Sequence, residues 1–487
     1  MLTRRQRLLV LGLFIAAIAS LYLYNLNGTG VLDPDEPRYA SVGRAMARSG
    51  DWVTPQLWGS PWFEKPVLLY WLAGLGTLSG LDMDMAGRLP VALLSLAFLA
   101  GWFLLLRAEF GEPTAAIATL LLATSGAWLV YSSFCLTDLP LAAFFSIAVA
   151  LSLPLLRGCD SFRRWLGLGA ALGLATLSKG LVPLVLAIPF LWFLRRQWRR
   201  WWIAAAAFFV VAGPWYALVI ARNGYPFIED FFLKQHFARF YSQTLQHVQP
   251  VYFYIPVLLG TLFPWTPLIL LIRPRSVRKD ERLRFLAVVF VFGFVFFSAS
   301  LNKLPGYLLP LLPCLFVVIA DGITERGITH LSRGWLIASG ILIALIPFAG
   351  QLIPVLLVGK IASTRQMLFA MLPITLGMLV LFATPLVVAA FAHKSVAGGL
   401  LVLSFVVAGI YLKSTIYPVL NEEASARSLW QQIQGESDRM CDAGLKRTWE
   451  YGLAFYRGSP VPLCAQHPAP VRLVPGPAGR PIMLRVP

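Results

Sequence analysis

Three carboxylates occupy four consecutive positions directly after the first apolar run of the chain. The stretch VLDPDEPRYASVGRAMARSGDW, residues 31–52, contains Asp33, Asp35 and Glu36. A helix start needs only one such side chain as a cap for its free backbone N–H groups. Surplus carboxylates beside a hydrocarbon boundary gain nothing from packing, so they favour a functional site over a cap.

Basic side chains accompany these carboxylates in the same loop. The motif WFEKP contains Glu64 and Lys65, and the first stretch supplies Arg38 and Arg44. Lysine and arginine bind phosphate through charge-assisted hydrogen bonds, which makes Lys65, Arg38 and Arg44 candidate ligands for a phosphate-bearing lipid. The alternative interpretation of Glu64 and Lys65 is an ordinary solvated ion pair.

Isolated polar residues mark the ends of later apolar runs. Asp138 lies in LTDLP, Lys179 in LSKGL and Lys303 in LNKLPGYLLP. A lone lysine at a helix end often only extends its ammonium group to the interface. Counting the membrane crossings, however, assigns all three residues to the face that carries Asp35, which favours a shared site.

A third polar cluster lies in FFLKQHFARFYS, where Lys234, His236 and Arg239 share one amphipathic turn. A second histidine at i+3 or i+4, which helical zinc sites often use, is missing. No metal site is therefore predicted. His236 and Glu64 stay as candidate ligands, and a divalent metal is left open.

These clusters belong to a strongly apolar chain. The 487 residues are 58% hydrophobic and 13% charged, and the mean hydropathy is +0.70. We expect about thirteen membrane-spanning helices, because runs of roughly 18 to 22 apolar residues recur along nearly the whole chain. The run at 164–194 is interrupted at Lys179 and Gly180. The first run has a basic start but no small-residue cleavage site, which predicts a retained signal anchor.

The net charge of +18 can be explained by the topology of a membrane protein. Basic residues concentrate in alternate short segments, among them RRQR at 4–7, RRQWRR at 195–200 and RPRSVRKDERLR at 273–284. This asymmetry predicts that these segments face the cytoplasm and that the carboxylate-rich loops face the opposite side. A nucleic-acid partner is not needed to explain the charge.

Three non-cytoplasmic segments are too long to be simple turns: 27–86, 221–251 and the tail 414–487. The first is predicted to contain a helix that starts near Asp35 and ends at Ser49-Gly50, followed by a second amphipathic helix after Pro66. In the tail, RTWEYGLAFYRG and PIMLRV resemble strands. We expect the tail to form a small α/β domain.

Cys441 and Cys464 are the two cysteines of the tail. An odd number of crossings places them in the oxidising periplasm, where exposed free thiols seldom persist. We predict that they form a disulfide. Two unrelated buried thiols are the alternative.

Several motifs together resemble one known family. DPDEPRYA, GDWVTPQLWGSPWFEKPVLLYW, LTDLP, LSKG, QHFARF and NKLPGYLLPLLP look like the bacterial 4-amino-4-deoxy-L-arabinose transferases. That family belongs to the protein O-mannosyltransferase-like superfamily of GT-C glycosyltransferases. The resemblance covers about residues 5 to 310 in family order. It implies an all-α polytopic membrane protein of the GT-C type, with periplasmic surface helices and the small C-terminal α/β domain. It further implies a catalytic domain over 1–413, with 27–86 and 221–251 as its periplasmic loops, and a second domain over 414–487.

The resemblance also implies an activity. The family comprises inverting glycosyltransferases of the bacterial inner membrane, which take a pentosyl or hexosyl group from undecaprenyl phosphate at the periplasmic face. The sugar here would be 4-amino-4-deoxy-L-arabinose and the acceptor lipid A, or another periplasmic glycan or protein. By motif, the catalytic residues are Asp35, Glu36 and Glu64. The residues that bind the carrier phosphate or substrate are Arg38, Tyr39, Lys65, Asp138, Lys179, His236, Arg239 and Tyr307. No cofactor is required by this implication.

Two positions depart from the family pattern. Asp33 is additional, and Pro37 stands where the arabinose transferases commonly have Thr, so other sugars and acceptors stay open. The alternative function is a membrane transporter or lipid flippase. A transporter predicts repeated halves and charges at mid-membrane depth, whereas here the charges concentrate at one face.

Overall fold

A computed structural model describes residues 4–238, 248–327, 330–358, 394–476 and 479–485. Helices dominate this part of the chain. The α-helices are Arg4–Leu23, Asp35–Ser49, Leu68–Leu78, Met85–Ala123, Gly126–Tyr131, Asp138–Leu156, Phe162–Lys179, Val182–Leu186, Ile188–Phe193, Trp201–Phe227, Tyr254–Thr261, Pro274–Lys279, Glu281–Ala299, Leu312–Arg326, His330–Ala344, Ile346–Val358, Lys394–Glu423, Ala426–Ile433 and Arg447–Arg457. Shorter 3₁₀ segments are Arg195–Arg200, Val251–Phe253, Thr266–Leu271, Pro305–Leu311 and Gln434–Glu436, and Ile228–Ala238 is a π-helix.

Within the described residues, seven helical stretches are long and apolar enough to cross a membrane by length and composition. They are Met85–Ala123, Asp138–Leu156, Arg195–Gln235, Glu281–Ala299, Pro305–Arg326, His330–Ile353 and Ala397–Glu423. The chain is a multi-pass membrane protein, as its composition predicts.

The predicted count of about thirteen spans is not confirmed. The apolar run at 164–194, for example, is broken into pieces shorter than a membrane crossing. Gly180 has a φ of 72° and ends the helix Phe162–Lys179. Beyond it lie only the short helices Val182–Leu186 and Ile188–Phe193. The run predicted at 367–391 lies outside the described residues.

The first loop contains the helix that the sequence predicts, Asp35–Ser49, named here the loop helix. Tyr39, Val42 and Met46 are buried along one face, which matches the predicted apolar stripe. The loop helix ends at Gly50, whose φ of 72° allows its N–H to bond the carbonyl of Met46. The second predicted surface helix is Leu68–Leu78, and it packs against the loop helix.

Two antiparallel helices of nearly equal length place polar residues at one end. Asp138–Leu156 has 19 residues and Phe162–Lys179 has 18, so both are about 28 Å long at 1.5 Å per residue. A short connection joins them. The start of the first helix and the end of the second therefore lie at the same end of the pair, which brings Asp138 beside Lys179.

The tail is a small α/β domain, as predicted. The strands β3 (Met440–Asp442), β4 (Val471–Pro475) and β5 (Pro481–Arg485) form a sheet in the order β3-β4-β5, with a parallel and then an antiparallel pair. Two further strands, β1 (Gln56–Leu57) and β2 (Ser60–Pro61), form a hairpin in the first loop.

Two details of the tail differ from the prediction. The last long helix continues to Glu423, so the compact tail begins about ten residues later than the apolar run suggests. RTWEYGLAFYRG forms the helix Arg447–Arg457, named here the tail helix, and not a strand. Its aromatic residues favour strands on their own, but Trp449 and Leu453 recur at helical spacing and pack into the core of the tail.

Cys441 and Cys464 are joined by a disulfide with their Cα atoms 4.8 Å apart. The bond connects β3 to the segment after the tail helix. That segment also pairs with β3, because the backbone N–H of Cys464 donates to the carbonyl of Asp442 at 2.8 Å.

Candidate active site

The first turn of the loop helix and the WFEKP motif together form a chain of ion pairs. Asp35 and Arg38 are three residues apart, so they lie on one helix face and form an ion pair. Arg38 Nη1 donates to Glu64 Oε2 at 2.8 Å, and Lys65 Nζ donates to Glu64 Oε1 at 2.7 Å. Opposite charges thus alternate over Asp35, Arg38, Glu64 and Lys65, and we name these four residues the ion-pair chain.

Asp35 is the accessible member of the ion-pair chain. Its side chain is 30% exposed, whereas those of Arg38, Glu64 and Lys65 are 13%, 11% and 10% exposed. The start of the loop helix has no side-chain cap, and the N–H of Asp35 itself donates to Asp33 at 3.1 Å. Asp35 therefore is not a cap, and its carboxylate is available to a ligand.

Tyr39 lies beneath the ion-pair chain. Its hydroxyl donates to Glu64 Oε1 at 3.5 Å, and Lys65 Nζ lies 6.0 Å from its ring centre. Burial, and then the Glu64 carboxylate, raise the pKa of Tyr39 well above its ordinary value. The phenol therefore stays protonated and donates a hydrogen bond to Glu64.

Arg38 stays charged in this setting. Burial by itself lowers the pKa of Arg38. The neighbouring Glu64 and Asp35 carboxylates raise it by a larger amount, so the pKa lies above its ordinary value. The guanidinium group also donates through Nε to the carbonyl of Pro34 at 2.9 Å. Arg38 therefore fixes the separation between Asp35 and Glu64.

Glu36 is not part of the ion-pair chain. It is 1% exposed, as is Arg88, and the two side chains form a bidentate ion pair at 2.7 and 2.8 Å. Arg88 also donates to the carbonyls of Leu26, Thr29 and Gly30. Glu36 was predicted to be catalytic. The structure instead buries it against Arg88, where the pair fixes the segment that precedes the loop helix, and its carboxylate points away from that of Asp35.

A second polar cluster combines three predicted residues. Lys179 Nζ donates to Asp138 Oδ1 at 2.6 Å, and the same ammonium group lies 4.7 Å from the ring centre of Tyr307. Tyr307 follows Gly306, which approaches Asp138 closely: a Cβ added at Gly306 would lie 2.7 Å from Asp138 Oδ1. Asp138, Lys179 and Tyr307 thus form one group, named here the helix-end cluster.

Tyr131 is a further polar residue near Asp138. A Cβ at Gly306 would lie 2.6 Å from its hydroxyl oxygen, which places Tyr131 at the helix-end cluster. Burial raises the pKa of Tyr131, and Asp138, Asp33 and Asp35 raise it further. The carboxylates of the helix-end cluster and of the start of the loop helix thus both favour the protonated form of this hydroxyl.

Two predicted residues cannot be placed. The structure describes the backbone but not the side chain of His236, and Arg239 lies outside the described residues. Among the described residues, no group of three His, Cys, Asp or Glu side chains converges as a metal site. With the His236 side chain outside that set, the expectation about a metal stays a prediction.

Three further basic residues from the sequence analysis have other contacts. Arg44 is buried and donates to the carbonyl of Phe455 at 2.7 Å, so it holds the tail and not an anion. Lys303 is buried and donates to the carbonyls of Gln249, at 2.9 Å, and Ser300. Lys234 is 59% exposed and pairs with Glu229 at 3.0 Å and Asp230 at 2.8 Å.

The sequence analysis missed the aromatic residues around Arg38. Trp62 and Tyr451 place their ring centres 5.4 and 5.2 Å from the guanidinium carbon. Trp62 belongs to the WFEKP motif, and its ring, close in sequence to Lys65, is a local signal for a cation–π contact. Tyr451 comes from the tail helix, nearly 400 residues further along, and no local pattern indicates it.

The chain matches known proteins in sequence and in fold. Residues 64–221 match the family model for dolichyl-phosphate-mannose-protein mannosyltransferase. The undecaprenyl phosphate-alpha-4-amino-4-deoxy-L-arabinose arabinosyl transferase of Pseudomonas aeruginosa (strain UCBPP-PA14) is 32% identical over 341 residues, which cover 67% of this chain and 61% of the relative. The protein of that name from Edwardsiella ictaluri is 32% identical over 63% of this chain and 57% of its own length. The chain thus aligns with less than two thirds of these relatives.

A solved structure extends the likeness to nearly the whole chain. The crystal structure of ArnT from Cupriavidus metallidurans bound to undecaprenyl phosphate superimposes with a TM-score of 0.74 and 26% identity, covering 93% of this chain and 85% of that protein. The structure of the same protein in the apo state gives a TM-score of 0.72. The resemblance seen in the motifs is therefore confirmed: this chain is a homologue of the bacterial 4-amino-4-deoxy-L-arabinose transferases and has their GT-C fold.

Proposed function

We propose that this chain is an inverting glycosyltransferase that moves a sugar from undecaprenyl phosphate to an acceptor. The sugar would be 4-amino-4-deoxy-L-arabinose and the acceptor lipid A, because the relatives are named for transfer of that sugar from undecaprenyl phosphate. The observation that carries the proposal is the ion-pair chain, in which one accessible carboxylate lies beside two cations that are nearly buried.

Asp35 suits the sugar side of this reaction. Cleavage of the bond between sugar and phosphate builds positive charge on the anomeric carbon, and a preorganised carboxylate stabilises that charge. Asp35 is exposed enough to reach a substrate and is oriented by Arg38. With a hydroxyl acceptor it would also remove the proton as a general base, whereas a lipid A phosphate is already a nucleophile and needs only positioning.

The cations suit the leaving phosphate. Negative charge grows on the carrier phosphate as the sugar departs, and nearby ammonium and guanidinium groups offset it. Lys65 and Arg38 belong to the ion-pair chain and Lys179 to the helix-end cluster, and each is already held by a carboxylate. We assign Lys65, Arg38 and Lys179 to the phosphate, with Tyr39, Asp138 and Tyr307 orienting them. His236 and Arg239 are proposed to complete the site, and Glu64 to hold both cations.

The proposed location is the bacterial inner membrane, with the site on the periplasmic face. Support comes from the basic segments 195–200 and 273–284, which the charge rule assigns to the cytoplasm. The proposed division is a catalytic domain over 1–413, with loops 27–86 and 221–251, and a periplasmic domain over 414–487.

Mass spectrometry of lipid A and of undecaprenyl-linked sugars tests the activity in cells with and without this protein. We expect lipid A to lose one sugar substituent and the sugar-loaded carrier to accumulate when the protein is absent. A flippase would instead leave the loaded carrier trapped at the cytoplasmic face. If membranes from the deficient cells, opened so that both faces are accessible, still transferred the sugar to lipid A, the proposal would be wrong.

A further inference from the structure

The tail helix has two faces, and the core of the tail uses only one of them. Trp449 and Leu453 lie in that core. Tyr451 and Phe455 each follow by two residues, so they point to the opposite side of the helix. Phe455 lies in the core of the membrane domain instead. The tail helix is therefore shared between the tail and the first loop.

Hydrogen bonds fix the tail helix on the first loop. The hydroxyl of Tyr456 donates to Asp84 Oδ1 at 2.6 Å and accepts from the N–H of Val31 at 3.0 Å. Arg44, in the middle of the loop helix, donates to the carbonyl of Phe455 and lies 4.8 Å from its ring centre. Burial lowers the pKa of Arg44 to about 10, which still leaves it charged at neutral pH. These bonds set the position of the whole tail helix.

Docked in this way, the tail helix places Tyr451 over Arg38. The guanidinium carbon lies 5.2 Å from the ring centre of Tyr451 and 5.4 Å from that of Trp62. Trp58 packs against Tyr451 with ring centres 5.7 Å apart. The arginine that separates Asp35 from Glu64 is thus surrounded by rings from two distant parts of the chain.

The hairpin contributes Trp58 in a costly conformation. Leu57 pairs with Ser60, so the turn consists of Trp58 and Gly59, with φ values of 50° and 87°. Turns of this kind favour Asn, Asp or Gly at the first position, and a bulky residue with positive φ is a clear exception. Such exceptions concentrate at functional sites. The turn itself does not need a tryptophan, whereas the contact with Tyr451 does need its ring.

We propose that Tyr451 is a positioning residue of the transfer reaction, which acts by holding the Arg38 guanidinium in the plane that serves Asp35 and Glu64. The tail domain is then part of the active site. This inference rests on the proposed function. The interaction needs an aromatic face and not the hydroxyl group, because a cation is attracted by the ring itself.

Two substitutions separate the ring from mere bulk. Tyr451→Phe keeps an aromatic face, whereas Tyr451→Leu keeps an apolar side chain of lesser size. In the purified full-length protein we expect the phenylalanine variant to keep kcat within about twofold of the original. The leucine variant should lower kcat roughly three- to thirtyfold, the range of a cation–π contact expressed as a rate. KM for the lipid-linked donor should change less than kcat, because Arg38 acts mainly as charge develops. Tyr225→Leu, at an exposed tyrosine, is the matched control.

A second arm asks whether Tyr451 acts through Arg38. In an Arg38→Gln background, where the cation is gone, Tyr451→Leu should reduce kcat by less than twofold further. Equal kcat for the leucine and phenylalanine variants, or a full additional loss in the Arg38→Gln background, would overturn the inference.

The inference can fail separately from the proposed function. If the original protein transferred no sugar from undecaprenyl phosphate, the proposed function would fail. The original protein, Tyr451→Leu, Arg38→Gln and the double variant would then be compared by thermal unfolding, where the loss of Tm from Tyr451→Leu must shrink in the Arg38→Gln background. An unchanged loss of Tm would contradict the contact between Tyr451 and Arg38 whatever the reaction is.

Discussion

Asp35 and Glu36 are adjacent in the loop helix, where successive side chains point about 100° apart. The two carboxylates therefore cannot face one site in the same way. Asp35 points to Arg38 and remains partly exposed, whereas Glu36 points to Arg88 and is buried. The sequence analysis treated both as catalytic, although helical spacing alone separates them. Of the two, Asp35 keeps the accessible carboxylate because Glu36 is buried against Arg88, a residue of a later helix that no local pattern pairs with it.

Glu36→Gln should destabilise the fold more than it affects chemistry. The amide keeps the shape of the side chain but breaks the buried ion pair with Arg88, which typically costs about 3 to 5 kcal/mol. We expect a clear fall in the melting temperature of the purified protein. Turnover of the molecules that remain folded should stay within about tenfold of the original.

Glu109→Gln is the control for this experiment, because Glu109 pairs with the partly exposed Arg157 and Arg282. A Glu36 variant as stable as the original but without turnover would return Glu36 to the catalytic residues.

Lys65→Ala should weaken both donor binding and the chemical step. Lys65 lies beside Glu64 and over Tyr39, and its loss removes one charge-assisted contact to a phosphate. Such a contact is worth about 1.5 to 3 kcal/mol, which corresponds to roughly ten- to a hundredfold in kcat/KM. Steady-state kinetics with the lipid-linked donor measure this change in kcat/KM. Lys279→Ala, at an exposed lysine far along the chain, should have no effect; equal losses in both variants would exclude a phosphate role for Lys65.

At the scale of elements, the site depends on where helices begin and end. Asp138 starts one helix and Lys179 ends the next, so the antiparallel pair brings opposite charges together. The sequence predicts the face on which each residue lies, through the count of crossings. It does not predict that the two residues touch, because that depends on the packing of the two helices.

Gly306→Ala should disrupt the helix-end cluster. An added Cβ would lie 2.6 Å from the hydroxyl oxygen of Tyr131 and 2.7 Å from Asp138 Oδ1, so the segment Pro305–Leu311 must shift and carry Tyr307 with it. A displacement near 1 Å at a catalytic site can lower the rate about a hundredfold. Transfer kinetics should show a loss of at least tenfold.

Gly334→Ala is the matched control, because a Cβ there meets nothing within 4 Å. If the two alanine variants transferred sugar equally well, the helix-end cluster would have no part in the reaction.

At the scale of the whole molecule, the tail packs against the first loop of the membrane domain. The sequence predicts the presence of the tail, its mixed α/β character and its pair of cysteines. It does not predict that the tail helix rests on the loop helix, because contacts such as Arg44 with Phe455 join residues that are far apart in the chain. For the same reason, no local motif indicates the role of Tyr451.

Thiol labelling of intact spheroplasts tests the topology. With a membrane-impermeant maleimide, Cys441 and Cys464 should react only after reduction of their disulfide. Cys159 is an exposed free thiol in a segment followed by the basic residues Arg163 and Arg164, so it should react only after lysis. The extent of labelling is measured by mass spectrometry. Labelling of Cys159 in intact spheroplasts, or of the tail cysteines only after lysis, would reverse the orientation.

The most direct measurement of the central claim follows both products of one reaction. Purified protein is mixed with lipid-linked sugar and lipid A, and the free undecaprenyl phosphate and the glycosylated lipid A are quantified together. We predict equal amounts of the two products from the original protein. Asp35→Asn should retain the melting temperature but lose at least about a hundredfold in rate, and Asp438→Asn, at an exposed carboxylate of the tail, should react normally. Near-normal transfer by the Asp35→Asn variant would contradict the account.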